Sequence, residues 1–246
     1  MTVRFLTEGG KNMDFSYLDK NVEKIRKNIS EACKSSGRED SEIKLLAATK
    51  YANAEEINYI HKHLSVNHIG ENRVQHLLEH WEGIDKEGLE IHFIGSLQTN
   101  KVKYVIDKVS LIHSLDSLRL AEEIDKQAKK RGLTMNVLVE VNSGMEESKG
   151  GVMPNDVEDF CLALRAYDSV KLCGFMTMAP KGCTPDEYRA YFNKTRTDCE
   201  RIWYEKLNME GKPEFSMGMS DSYEVAIECG STIVRLGNTI FSSETV

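Results

Sequence analysis

The chain has 246 residues, with 32 Lys and Arg against 39 Asp and Glu, for a formal net charge of -7. That acidic balance excludes a general nucleic-acid binder, which needs basic surface to displace the counterions of phosphates. No apolar run approaches the ~20 residues that span a bilayer, and 40% hydrophobic with 29% charged residues is the composition of a soluble globular protein.

The stretch MTVRFLTEGGKNM, residues 1–13, lacks the apolar core of a secretory signal. It is set apart as an extension or leader, leaving 14–246 as a single domain. Six cysteines, Cys33, Cys161, Cys173, Cys183, Cys199 and Cys229, form no C-x-x-C pair and no repeated spacing. Reduced thiols in the cytoplasm are the expectation.

A helix is predicted first, over 16–37, where Leu18, Val22, Ile25, Ile29 and Cys33 fall at helical spacing and Gly37 supplies the stop. The first strand follows over 43–50 (IKLLAATK), then a helix over 54–64, a strand over 66–71 and a helix over 73–84. Strand 91–96, helix 100–107, strand 111–116 and helix 117–132 continue the series. Strand 136–142, helix 155–167, strand 171–178 and helix 185–207 come next, before strand 213–219, helix 222–230 and strand 232–238.

Strand and helix thus alternate through eight strands without a Pro- or Ser-rich linker, which predicts parallel strands joined by crossover helices. An open doubly wound sheet and a closed (β/α)8 barrel both satisfy that order. Eight units in about 200 residues favour a single TIM-type barrel, with the 16–37 helix as an addition. No G-x-G-x-x-G follows the first strand and no Walker A sequence occurs.

Chemistry in such a barrel gathers at the C-terminal strand ends. Here those ends carry Lys50, Glu71-Asn72, Gly95-Ser96, Asp116, Asn142, Thr177-Met178, Ser216-Met217-Gly218 and Arg235-Leu236-Gly237-Asn238. Glycines at the last two ends let backbone N–H groups approach phosphate oxygens. A lysine amine across from such a cradle suits an aldehyde with a phosphate tail, such as pyridoxal 5′-phosphate (PLP).

The segments ATK at 48–50, HIGENRVQ at 68–75, HFIGSLQTNK at 92–101, VNSGMEESKGG at 141–151, FSMGMSDS at 215–222 and GSTIVRLGNTIF at 230–241 follow one another in order. Together they resemble the YggS/PROSC family of PLP homeostasis proteins, and the resemblance extends from about residue 18 to 241. It implies a fold-type III PLP barrel, related to the N-terminal half of alanine racemase. It also implies a Schiff base between PLP and Lys50, whose deprotonation would be eased by shielding from water and by nearby Arg235. Arg235 would face the pyridine nitrogen, and Asn72 would lie beside the ring. Ser216, the N–H of Met217, Gly237 and Asn238 would hold the phosphate. Two departures from the family pattern stand out: Asn238 replaces a usual threonine, removing a hydroxyl contact, and Ser96 replaces a usual proline.

HLLEH, residues 76–80, spells H-x-x-E-H and puts His76 and His80 on one helical face. A metalloprotease needs a third ligand that the sequence does not show, so no metal is assigned. Lys149, in EESKGG, is read as a solvated loop amine, with the alternative that it takes or releases the aldehyde. Tyr188, Tyr191, Phe192, Ile202 and Trp203 of the 185–207 helix are read as barrel-packing core.

By the same resemblance, alanine racemases add a C-terminal β-domain, whereas this chain ends at Val246, shortly after Asn238. An arginine at the pyridine nitrogen leaves that nitrogen unprotonated and weakens the ring as an electron sink. The expectation is a monomeric carrier or buffer of PLP acting in vitamin B6 and amino-acid homeostasis, with PLP-dependent apo-enzymes as recipients and no enzymatic activity of its own. A low-activity PLP-dependent racemase is the alternative.

Overall fold

In the computed structural model, residues 5–6, 12–146 and 149–243 are described. Within 1–13, which the sequence reading set aside, β1 (Phe5–Leu6) pairs antiparallel with β2 (Asn12–Met13). Helix α1 (Ser16–Ser36) buries Leu18, Val22, Ile25, Ile29 and Cys33 and ends at Gly37, whose φ of 68° suits a left-handed cap.

Eight parallel strands then close a barrel: β3 (Lys44–Ala48), β4 (His68–Glu71), β5 (Glu90–Phe93), β6 (Leu111–Leu115), β7 (Met135–Val141), β8 (Val170–Thr177), β9 (Glu214–Ser216) and β10 (Ile233–Leu236). β10 pairs with both β9 and β3, which seals the ring. Between consecutive strands run α2 (Ala54–Leu64), α3 (Val74–His80), α4 (Val102–Val105), α5 (Leu118–Arg131), α6 (Val157–Ala163), α7 (Pro185–Arg201) and α8 (Tyr223–Glu228).

The helix after the last strand, α9 (Asn238–Phe241), is a single turn. α1 packs on α2, α8 and α9, so it fills the place in the outer ring that so short a helix leaves open. Polar side chains of α1 and of the residue after its cap tie the ends together: Asn21 donates to the carbonyls of Ile240 and Ser242, and Arg38 to those of Ile227 and Ser231.

Alternation along each strand separates two cores. Val137, Val139 and Val141 of β7 join the large cluster beneath the helices, while Leu138 joins Leu46, Leu111, Met176 and Ile233 in a smaller cluster inside the barrel. α7 runs into a π-helical turn at Ile202–Lys206, which buries Trp203 with its Nε1–H donated to the Gly211 carbonyl. Tyr188, Phe192, Ile202 and Trp203 are buried there as expected, and Tyr191 is half-buried against the same core. All six cysteines are unpaired. Among the described residues no helix is long and apolar enough to cross a membrane.

Candidate functional site

Arg235 lies near the C-terminal end of β10. It shares the inward side of β10 with Ile233 and is 5% exposed. Its NH1 donates to the Ser216 carbonyl at 2.7 Å and to Ser216 Oγ at 2.5 Å, and its NH2 donates to the Thr177 carbonyl at 3.0 Å. Burial lowers its pKa to about 10, offset by the attraction of Glu140. No carboxylate among the described residues forms a salt bridge with it. A guanidinium has five N–H donors, and the Nε–H and one NH2 hydrogen meet no acceptor among the described residues.

Beneath Arg235 a hydrogen-bonded column follows the barrel axis. Ser216 Oγ lies 2.9 Å from His113 Nδ1, and His113 Nε2 lies 2.9 Å from His92 Nδ1. His92 Nε2 stands 3.4 Å from Glu90 Oε2 at the opposite end. Because Ser216 Oγ accepts from Arg235, its own O–H is available to His113, then His113 donates to His92 and His92 points its N–H at Glu90. Burial, followed by repulsion from His92 and Arg235, pushes the His113 pKa well below its usual value and keeps it neutral.

Glu140 faces inward beside the column, on the same side of β7 as Leu138, and is 7% exposed. Burial raises its pKa to about 7, Asp116 repels its charge further, and Arg235 pulls the other way. Glu140, His92 and His113 are not among the candidate residues predicted from the sequence. Each interrupts an apolar strand at an inward position, as in NVLVEVN, IHF and LIHSL.

Lys50 departs from expectation. β3 ends at Ala48, and a turn closed by the Ala52 N–H on the Thr49 carbonyl carries Lys50 onto the rim. The side chain is exposed, with Nζ 4.7 Å from the Tyr51 ring centroid. It is not shielded from water, because it lies beyond the end of the sheet. Asn72, half-buried, follows Glu71, whose fully buried carboxylate accepts from the Thr49 hydroxyl at 2.6 Å. That bond ties the β4 end to the residue just before Lys50.

Gly237 sits against the same β3 end: a Cβ built on it would stand 3.0 Å from the Ala48 carbonyl oxygen. Asn238 opens α9. Met217 is fully buried, and its N–H is given to the Ile233 carbonyl at 3.1 Å, so this N–H is spent in the sheet and not offered to the mouth. Ser216 is likewise fully buried, with Oγ engaged by Arg235 and His113. Strand β9 is shorter than predicted because the chain turns at Gly218, whose φ of 91° and contact with α8 admit no side chain.

Lys149 is exposed and bonded to Glu146 at 2.6 Å, while residues 147 and 148 beside it lie outside the described residues. His76 and His80 stack edge to face, 4.1 Å between centroids, and His76 Nδ1 meets Glu71 Oε2 at 2.8 Å. Glu71, on the strand before their helix, is a third group near enough to share an ion with them, one that the sequence did not show.

A closed parallel barrel of eight strands with helices between them matches a known class of protein. Residues 21–244 match the family described as Alanine racemase, N-terminal domain. Among curated relatives, the Pyridoxal phosphate homeostasis protein of Aquifex aeolicus is 43% identical over 220 residues, 89% of this chain and 95% of its own. The protein of the same name from Escherichia coli strain K12 is 32% identical, over 91% of this chain and 95% of its own. PipY of Synechococcus elongatus, solved with PLP bound, superposes with a TM-score of 0.73 at 29% identity, covering 87% of this chain and all of its own. The chain belongs to the family of pyridoxal phosphate homeostasis proteins, built on the alanine racemase N-terminal-domain barrel.

Proposed function

We propose that this protein binds PLP covalently through Lys50 and carries or buffers it, taking part in vitamin B6 and amino-acid homeostasis. The observation that carries the reading is Arg235: a buried cation with two unspent N–H donors, on the strand paired directly with the one that leads to Lys50. Register places Arg235 opposite Leu46 and Leu236 opposite Ala47, so the arginine and the lysine serve one mouth. The names of the relatives and the PLP found in PipY support the same ligand.

The donor set fits PLP. Bound there, PLP supplies an aldehyde carbon open to amines and an electron-withdrawing ring. Lys50 offers the amine, and Arg235 offers donors to the ring nitrogen without giving it a proton, since a guanidinium barely deprotonates. Asn72 lies on the rim beside Lys50. Gly237 and Asn238 take the phosphate, where the close approach of Gly237 to the Ala48 carbonyl leaves little room for a side chain. Ser216 acts by holding Arg235 in place, and Met217 by anchoring the strand end. Lys50 stands exposed on the rim, which suits hand-over of the aldehyde to PLP-dependent apo-enzymes by a cytoplasmic monomer.

One observation favours the racemase alternative. Glu140, whose pKa lies at about 7, is a mouth carboxyl able to give or take a proton at neutral pH. Exchange of the α-hydrogen of an amino acid into solvent separates the two readings. A carrier shows no exchange above that of free PLP; a racemase shows exchange that falls in Glu140→Gln. The binding reading itself is tested by titrating the apo-protein with PLP: an absorbance band in the violet region should develop and be lost in Lys50→Ala. A protein that takes up no PLP overturns it.

A further inference from the structure

At the end of the barrel opposite the mouth, His68, Glu90 and His92 turn three ligand atoms towards one another. We propose that these three residues form a binding site for a divalent transition metal of the zinc class, and that its occupancy is communicated along the barrel axis to Ser216.

Glu90 Oε2 lies 3.5 Å from His68 Nδ1 and 3.4 Å from His92 Nε2. Both distances are long for a hydrogen bond to a carboxylate. They match the ~3.3 Å edge of a tetrahedron whose metal–ligand bonds are about 2.0–2.1 Å. His68 Nδ1 is buried with no hydrogen-bond partner, a costly state for a polar atom unless something binds there. His92 Nδ1 is held by His113 Nε2 at 2.9 Å, the supporting contact through which a second group orients a ligating imidazole.

The charges suit a cation. Two imidazoles can ligate as neutral donors, and Glu90 supplies a carboxylate with the opposite charge to the metal. The neighbouring cation, Lys44, is taken up by Glu214 at 2.5 Å. The Glu90 side chain is 56% exposed, which gives an entry path. Two imidazoles and one carboxylate favour zinc, copper or nickel over magnesium or calcium, and a three-ligand set leaves a coordination position open.

Metal on His92 Nε2 moves that ring's proton to Nδ1, which then donates to His113 Nε2. His113 must in turn carry its proton on Nδ1 and donate to Ser216 Oγ. Both rings stay neutral, each still holds one proton, and the column reverses direction. Ser216 thereby ceases to donate towards His113 while it continues to accept from Arg235.

The test uses apo-protein, so it does not depend on the PLP reading. Zn²⁺ is titrated in competition with a chromogenic chelator. In a His80→Ala background, which removes the second cluster of Glu71, His76 and His80, one Zn²⁺ should bind per chain, at least about tenfold more weakly when His68→Ala or Glu90→Gln is added. Glu90 is exposed enough that its variant should fold as the wild type does, which circular dichroism checks. Millimolar or absent binding in that background, or binding that stays as tight when Glu90→Gln is added, overturns the site. In ¹⁵N NMR spectra, Zn²⁺ should move the His113 proton from Nε2 to Nδ1; an unmoved proton overturns the communication to Ser216.

Discussion

Replacing Glu140 with glutamine removes a buried, inward-facing carboxyl from the mouth while keeping its shape. In the folded chain its pKa lies at about 7, above the ordinary 4.5, chiefly through burial and then through Asp116, with Arg235 opposing. A raised folded pKa means that the native state holds the proton more tightly than the unfolded chain does between those two values. The stability due to this group is therefore full below pH 4.5 and lost as pH rises through 7. At ~1.4 kcal/mol per pH unit, the interval amounts to about 3 kcal/mol, an upper figure because unfolded chains retain some burial. Urea denaturation of the two apo-proteins from pH 5 to pH 8 measures it. Glu140→Gln should match the wild type in acid and exceed it at pH 8 by up to about 3 kcal/mol, roughly 1 M in the urea midpoint. His113, kept neutral by burial, destabilises both proteins in acid and cancels in the difference. A difference that stays constant with pH, or a variant weaker at pH 8, would refute the placement of this carboxyl.

Further outcomes follow from individual contacts. Gly218→Ala puts a side chain at φ 91° with its Cβ 2.6 Å from the Ala226 Cβ; strain and overlap together should cost about 2–4 kcal/mol in a denaturant titration. Ser216→Ala takes an acceptor from Arg235 and a partner from His113. It should cost about 1–3 kcal/mol and weaken PLP uptake without abolishing the violet band. Asn53→Ala breaks the capping box that starts α2 just after Lys50, where Asn53 Oδ1 accepts from the Glu56 N–H at 2.9 Å. A loss of about 1 kcal/mol is expected, with PLP stoichiometry unchanged.

The barrel was legible because each strand is a short apolar run bounded by a helical pattern, and all eight predicted strands occur in the predicted order. Strand ends were less legible. Thr49 and Lys50 both read as strand, yet only Thr49 keeps a sheet bond, from its N–H to the Gly70 carbonyl, and the turn closed by Ala52 lifts Lys50 off the sheet. Gly218 shortens β9 by packing against α8, a tertiary contact that no local pattern encodes. The ring position filled by α1 was hidden because it depends on α9 being one turn long.

The same limit applies to the site. Arg235 announced itself as a charge in an apolar strand, but its partners Ser216 and Thr177 lie 19 and 58 residues away in sequence. His92 and His113 join only because β5 and β6 pair with His92 opposite Leu111. Glu71 reaches His76 across the β4–α3 turn, so the H-x-x-E-H spelling missed the carboxylate nearest its histidines.

The central claim, that the rim amine of Lys50 is the one that holds PLP, is tested most directly by chemical trapping. The PLP-loaded protein is reduced with borohydride, digested and mapped by mass spectrometry. The account predicts a reduced pyridoxyl phosphate group on the peptide containing Lys50 and none on that containing Lys149. Labelling of Lys149 in its place, or labelling spread over surface lysines with Lys50 unmodified, would contradict it.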